Sequence, residues 1–307
     1  MKTSAVTPGD LGRSVIAVPP LARRPDLSLD PDANLALIRH LEAGGVSTLM
    51  YGGNANFYNV GLYEYASILE LLAASAGPDT WVIPSAGPDY GKLMDMARIL
   101  RGLPFPTVMA LPQTFPSTPD GAERALRAFA DGIGRPIIVY IKAEGFVTPA
   151  HVERLAKAGV VAGIKYAIVR KDPAADPFLA ELVQRVDRAL IVSGIGERPA
   201  VTHLADFGLN GFTSGSVCVA PRGSTRMLAA LKAGDSAEAG RLREAYLPLE
   251  DLRDAHSPIR VLHEAVTLAG IADMGPLLPQ LSNLGAEHHG AVRAAAIALL
   301  AHDRGLA

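Results

Sequence analysis

The feature that most constrains the fold is a short apolar, β-branched segment that recurs along most of the chain, with helical spacing between its copies. These segments begin roughly twenty to thirty-five residues apart. They are Ser14–Val18, Thr48–Met50, Trp81–Pro84, Thr107–Leu111, Ile137–Ile141, Val160–Lys165, Leu190–Ser193 and Gly211–Thr213. Parallel strands need long crossover connections, and eight such strands close a barrel. The sequence therefore predicts an α/β fold of the (β/α)8 TIM-barrel type.

Helix signals support this alternation. Helical spacing of apolar residues predicts helices over Asp32–Leu41, Leu62–Leu72, His151–Ala158, Pro177–Val186 and Met227–Leu231. Thr118 and Thr148 each precede a proline and are typical N-caps, and Gly159 and Gly208 stand where helices should end. An open doubly wound sheet is the alternative, but the Gly-x-Gly-x-x-Gly turn typical of it is missing after the first strand.

The chain continues for about ninety residues after the eighth strand without a further strand signal. Four segments there have helical character: Leu228–Ala233, Ala237–Leu252, Pro258–Ala269 and Ala291–Ala301. We interpret residues 14–220 as the barrel and residues 221–307 as its last helix plus a C-terminal helical extension. No low-complexity linker separates the two parts, so both are assigned to one domain.

Composition excludes several classes of protein. Of the 307 residues, 49% are hydrophobic and 20% are charged, which excludes intrinsic disorder. The formal net charge of -2 gives no surplus for binding nucleic acid. One cysteine, Cys218, excludes an internal disulfide and fits a reducing compartment. No apolar stretch reaches membrane-spanning length and no metal-ligand spacing is present, so we expect a cytoplasmic protein without a metal.

Reactive side chains stand at the ends of two neighbouring predicted strands, where barrels place their active sites. Lys165 ends an otherwise apolar strand, and burial would lower the pKa of its amine and make it a nucleophile toward carbonyl carbon. A solvated lysine is the alternative. Tyr140 and Lys142 share one face of the preceding strand. Tyr140 fits a proton relay or an aromatic filling the barrel, and Lys142 fits a second amine, a cation for a carboxylate or a surface lysine.

Three further strand ends suggest contacts with a substrate. Gly52, Gly53 and Asn54 follow the second strand, where backbone N–H groups and the amide could cradle a carboxylate, although such a run is first of all a turn. Gly194 and Ser214 follow strands seven and eight, where barrels often bind anions. Tight turns that connect strand to helix are the alternative for both.

Taken in order, these segments resemble the dihydrodipicolinate synthase / N-acetylneuraminate lyase family of class I Schiff-base aldolases. The resemblance extends from about Ser14 to about Ala301. The matching segments are Ser14–Pro20, Ala43–Val46, Pro136–Tyr140, Gly163–Lys165, Ser193–Gly194 and Gly211–Pro221.

The resemblance implies a lyase, an aldolase or dehydratase, that forms an imine between Lys165 and pyruvate or another 2-keto acid. Tyr140 would then shuttle protons, and Gly52, Gly53 and Asn54 would hold the keto-acid carboxylate. Thr114, after the fourth strand, is a further expected substrate contact. The imine would make any cofactor unnecessary, and the chain would assemble as a homodimer or homotetramer.

Departures from the family pattern concern the second substrate. The second-strand loop lacks the two usual hydroxyl residues, the segment ending at Phe115 lacks the relay tyrosine, and no arginine follows Tyr140. Lys142 is the nearest replacement for that arginine, although lysine is a point charge and not a fork. We therefore expect a sugar acid or hydroxy-keto acid as substrate. Cleavage, condensation and dehydration all stay open, and so does a barrel that binds a keto acid without turnover.

Overall fold

The computed structural model describes residues 1–306. Over these residues, parallel strands close a barrel in which each strand pairs with its neighbours in chain order and β8 pairs with β1. The strands are β1 Ile16–Ala17, β2 Thr48–Tyr51, β3 Trp81–Ala86, β4 Met109–Ala110, β5 Ile137–Ile141, β6 Val161–Tyr166, β7 Ile191–Ser193 and β8 Gly211–Ser214. The predicted TIM barrel is confirmed, with all its strands at the predicted places.

Helices surround the barrel and continue beyond it. They are α1 Pro8–Leu11, α2 Pro31–Ala43, α3 Leu62–Ser75, α4 Tyr90–Leu100, α5 Pro119–Ile133, α6 Pro149–Lys157, α7 Pro177–Arg185, α8 Ala200–Ala205, α9 Pro221–Lys232, α10 Ser236–Arg243, α11 Leu247–Ala255, α12 Pro258–Leu268 and α13 Ala286–Arg304. The predicted caps are confirmed, because Thr118 Oγ1 accepts from Gly121 N at 3.2 Å and Thr148 Oγ1 accepts from His151 N at 3.4 Å. Within residues 1–306, every helix is too short or too polar to cross a membrane.

The C-terminal extension differs from its predicted form at one point. The single helix predicted over Ala237–Leu252 is wrong, because the structure ends α10 at Arg243 and starts α11 at Leu247. Pro248 stands in the first turn of α11, where a missing N–H is tolerated, whereas inside one continuous helix it would break the hydrogen-bond ladder. The extension also packs on the barrel, since Val266 belongs to the main hydrophobic core.

The N-terminal end of the barrel is plugged by α1. Leu11 is fully buried and lies against two inward-facing glycines. A Cβ built on Gly163 would lie 3.0 Å from Leu11 Cδ1, and one built on Gly211 would lie 3.1 Å from the Leu11 carbonyl oxygen. Because strand side chains alternate with period two, Lys165 and Thr213 also point into the barrel, one layer nearer its C-terminal end.

Candidate active site

A cavity of about 240 Å³ opens at the C-terminal ends of the strands. It lies above the inward layer that contains Lys165, on the side of the barrel where active sites of this architecture form. Its polar and charged lining residues are Asn54, Tyr140, Lys142, Lys165, Thr213, Arg253, Asp254 and Ser257. Basic groups predominate among them, so the cavity suits an anionic molecule.

Lys165 is the only lysine among the buried polar residues of the described chain, with 5% of its surface exposed. Its ammonium nitrogen makes no salt bridge to any carboxylate within residues 1–306, unlike many of the surface cations. Burial, and after it the positive charge of Lys142, lowers the pKa of Lys165 to about 7. A large fraction of the amine is therefore neutral and nucleophilic near neutral pH.

Tyr140 lies beside this amine because β5 and β6 pair in register. Tyr140 and Lys165 are direct Cα partners across the two strands, so their side chains emerge on the same face. Lys165 Nζ lies 4.7 Å from the centroid of the Tyr140 ring. Burial, and after it the nearby Tyr58, raises the pKa of the Tyr140 phenol, which therefore stays protonated at neutral pH.

Lys142 stands at the mouth of the cavity, two residues beyond Tyr140 on the same strand face. Its side chain is exposed, and Lys142 Nζ lies 5.7 Å from the centroid of the Tyr58 ring. Burial raises the pKa of Tyr58 to about 12. Lys142 thus adds positive charge at the entrance, whereas Lys165 is the buried amine.

The loop after β2 lines the cavity with Gly53 and Asn54 but not with Gly52. A Cβ on Gly52 would lie 2.6 Å from Met109 Cε, so the glycine there permits close packing and does not face the cavity. The N–H groups of Gly53 and Asn54 donate to no backbone acceptor within the described residues, and Asn54 Nδ2 donates to the Val18 carbonyl at 3.1 Å. Free N–H groups at this position fit a carboxylate.

Of the other three predicted substrate contacts, Gly194, Ser214 and Thr114, only Gly194 lines the cavity. Gly194 lines the cavity, and a Cβ there would lie 3.0 Å from Lys165 Cγ, so the glycine leaves room for the lysine. Ser214 does not line it, because period two turns its side chain outward and its Oγ donates to Glu197 Oε2 at 2.8 Å. Thr114 is exposed and also lies outside the lining. The placement predicted for Gly52, Ser214 and Thr114 in one pocket with Lys165 is thus not what the structure has.

Four polar or charged lining residues were not predicted as site residues from the sequence: Thr213, Arg253, Asp254 and Ser257. Thr213 is 1% exposed and faces the cavity, and its position two residues after the inward Gly211 could have identified it by period two. Arg253 reaches the cavity from α11 and donates through Nη1 to the Ile195 carbonyl at 3.0 Å and to Glu250 Oε1 at 2.9 Å. No local sequence signal links a residue of the C-terminal extension to a strand end so far away in the chain.

A family model described as "Dihydrodipicolinate synthetase family" matches residues 24–298 of the chain. Two curated proteins are similar over most of their length. One is "Probable 5-dehydro-4-deoxyglucarate dehydratase 2" of Streptomyces coelicolor, 25% identical over 248 residues, which cover 80% of this chain and 76% of that protein. The other is "4-hydroxy-tetrahydrodipicolinate synthase" of Alkalilimnicola ehrlichii, 26% identical over 291 residues, which cover 92% and 97%.

Solved structures share the fold. A prophage protein of the dihydrodipicolinic acid synthase family from E. coli K12, crystallised in complex with pyruvate, superposes with a TM-score of 0.80. It is 21% identical, and the match covers 93% of this chain and 98% of that one. The likeness therefore extends over most of the chain.

Proposed function

Since the chain belongs to the dihydrodipicolinate synthetase family, as a lyase of that family, we propose that it acts on a 2-keto acid through an imine formed on Lys165. One observation carries this proposal. Within residues 1–306, Lys165 is a buried amine without a carboxylate partner, and it faces a cavity at the active end of the barrel. A lysine that only stabilised the fold would be paired at such a depth.

The proposed chemistry starts with attack of the neutral Lys165 nitrogen on the keto carbon. The carbinolamine that forms loses its hydroxyl as water, and the protonated imine that remains draws electrons from the neighbouring carbon. Tyr140, protonated and 4.7 Å from the amine as measured to its ring centroid, is placed to donate the proton that the leaving hydroxyl needs. The imine itself is the electron sink, so we propose no cofactor.

The carboxylate of the keto acid would bind at the loop after β2. The free N–H groups of Gly53 and Asn54 point to an anion there, and no side-chain hydroxyl is needed. Lys142 at the mouth adds positive charge that draws an acid into the cavity.

For the substrate class we propose a 2-keto acid that carries a hydroxyl two carbons from the keto group, as sugar acids do. Tyr140, left as a phenolate after imine formation, would take the proton from the carbon between the two groups to give an enamine. The electron pair of the enamine would then expel the hydroxyl, which leaves as water with the proton returned by Tyr140. Similarity to a probable 5-dehydro-4-deoxyglucarate dehydratase supports this choice. The chain also lacks the arginine after Tyr140 that the family pattern has for a second substrate, and Arg253 is already engaged with Glu250.

We propose further that the chain assembles as a homodimer or homotetramer in the cytoplasm. An apolar groove of about 930 Å³ between α4 and α5, away from the Lys165 cavity, supports the assembly. Phe115 at this groove is 86% exposed. A large exposed apolar side chain beside an apolar groove is typical of a surface that another subunit covers. The reduced, buried Cys218 is compatible with the location. Sedimentation velocity of the purified chain, with Phe115→Ser as the matched variant, tests the assembly.

Borohydride reduction in the presence of pyruvate, followed by peptide mass mapping, tests the proposed function. We expect a reduced adduct on Lys165 and none in Lys165→Met. An adduct on Lys142 would show that the other amine is the nucleophile. Absence of any adduct with pyruvate and with longer 2-keto acids would instead support a barrel that binds acids without turnover.

A further inference from the structure

The hydroxyl of Thr213 is a buried polar group that the fold does not use. Thr213 is 1% exposed, and its Oγ1 has no hydrogen-bond partner in the part of the chain that the structure describes. The backbone of the same residue is satisfied, since its carbonyl accepts from Gly196 N at 3.0 Å. Buried hydroxyls almost always have a partner, so a lone one calls for an explanation.

The direction of this side chain is fixed by the alternation along β8. Gly211 faces the plug formed by Leu11 inside the barrel, and Ser214 faces outward to Glu197. Thr213, two residues after Gly211, therefore points inward and lines the cavity that also contains Lys165. Lys165 itself follows Gly163 by the same two residues, and Gly163 contacts the same leucine.

Burial alone does not distinguish Thr213. Thr48 Oγ1 and Ser216 Oγ are also buried and without a partner among residues 1–306, but neither residue lines the cavity. Thr48 is a close structural match, because it and Thr213 both pair in register with Ile16 of β1. What sets Thr213 apart is that its free hydroxyl faces the space where a molecule bound to Lys165 would lie.

The chemistry of the group narrows what it recognises. A threonine hydroxyl is neutral, donates one hydrogen bond and can accept two. It can therefore both donate to and accept from a ligand hydroxyl, whereas toward a carboxylate it can only donate. The basic groups at this site, Lys142 and Lys165, already serve an acid and a keto carbon. We propose that Thr213 is a specificity-determining residue that binds the chain hydroxyl of a hydroxylated 2-keto acid, an inference that rests on the proposed imine at Lys165.

Two ligands that differ only by that hydroxyl provide the test: 4-hydroxy-2-oxobutanoate and 2-oxobutanoate. The measurement is the concentration of each that gives half-maximal borohydride trapping on Lys165. A site built to bind a hydroxyl discriminates strongly against an analogue that lacks it. We expect the full-length wild-type protein to prefer the hydroxylated ligand by about tenfold or more.

Thr213→Val should abolish this preference, because only the binding of the hydroxylated ligand is weakened. Thr213→Ser, which keeps a hydroxyl, should retain most of the preference. Thr48→Val, which removes a matched hydroxyl outside the cavity, should leave the preference intact. Because the Thr213 hydroxyl has no protein partner within the described chain, Thr213→Val should keep the thermal midpoint of the wild type.

The outcomes separate this inference from the proposed function. If the wild type traps the two ligands with the same half-maximal concentration, the imine at Lys165 stands and the role of Thr213 is overturned. Equal weakening of both ligands in Thr213→Val would assign the hydroxyl to the carboxylate or the imine and also overturn it. Failure of the wild type to trap either ligand would overturn the proposed function, and this inference with it.

Discussion

Two buried clusters of ionisable groups meet at Arg253, near the segment that follows β7, and they are built in opposite ways. The first, behind the barrel wall, centres on Glu197 and Glu250, both of which are fully buried. Every carboxylate oxygen there has a partner. Glu197 accepts from Ser214 Oγ at 2.8 Å and Ser224 Oγ at 2.5 Å, and Glu250 accepts from the backbone of Glu197 and from Arg253.

The second cluster is the cavity with Lys165 and Tyr140, where the polar atoms lack such partners. Lys165 has no ion pair and Thr213 Oγ1 no hydrogen bond within residues 1–306, although both residues are buried. A polar group buried for stability is hydrogen-bonded, because an unpaired one costs free energy. The comparison therefore separates buried polar groups that stabilise the fold, which have partners within the protein, from those that are available to bind a ligand.

Replacing Lys165 should have the largest effect. Lys165→Met removes the nucleophile, so we expect turnover and borohydride trapping to fall by at least about a thousandfold. Lys165→Arg, which keeps the charge but is not nucleophilic, should be equally inactive. The check is trapping with pyruvate and mass mapping of the peptide that contains residue 165. Activity retained in either variant would place the reactive amine elsewhere.

The same substitution should stabilise the fold in a pH-dependent way. The lysine pKa is 10.5 when unperturbed and about 7 in the folded chain, so between these values the unfolded state binds more protons. The contribution of Lys165 to stability therefore rises from pH 7 toward pH 10.5, and at lower pH its buried charge costs up to about 5 kcal/mol. Lys165→Met should gain most at pH 6.5 and little at pH 10, as urea unfolding at the two pH values would show.

Breaking the partnered cluster should have a large effect of the opposite sign. Glu250→Ala removes the carboxylate that accepts from Arg253 Nη1 and from the backbone N–H groups of Glu197 and Arg198. Asp254 remains as a partner of Arg253, so we expect a loss of about 3 kcal/mol in the free energy of unfolding. Glu244→Ala, which removes an exposed ion pair to Arg243, is the control and should cost about 1 kcal/mol or less. Urea unfolding measures both. A Glu250→Ala protein with unchanged stability and lost trapping would place this cluster in the chemistry instead.

Tyr140→Phe should come next, with an effect on rate and none on folding. The ring stays in place while the phenolic proton is lost, so imine formation should slow by about 10² to 10⁴. Tyr58→Phe is the matched control, because Tyr58 lies nearby but outside the cavity lining. The rate of pyruvate trapping under single-turnover conditions gives the comparison. Equal losses in both variants would indicate a relay that passes through the two phenols together.

The contrast between the clusters also explains what could be predicted from the sequence. Period-two alternation and strand ends are local properties, and they located the barrel, Lys165, Tyr140 and Lys142. Ser214 lies outside the cavity because it is the last residue of β8 and follows the inward Thr213, so the same alternation turns its side chain outward. Its partner Glu197 precedes α8, and the pairing of Glu197 with Glu250 of α11 depends on tertiary packing alone. Arg253 escaped prediction for the same reason.

Lys142→Met should have the smallest effect, a shift in the pH at which Lys165 becomes reactive. It distinguishes the exposed lysine of the cavity from the buried one. Burial is the main cause of the low pKa of Lys165, and the charge of Lys142 is the second. Without that charge the protonated amine is favoured, so the midpoint of the pH profile for trapping should move upward from about 7. Lys142 is exposed and screened by solvent, so we expect a shift of less than about one pH unit. A shift to lower pH would mean that Lys142 does not act on Lys165 through its charge.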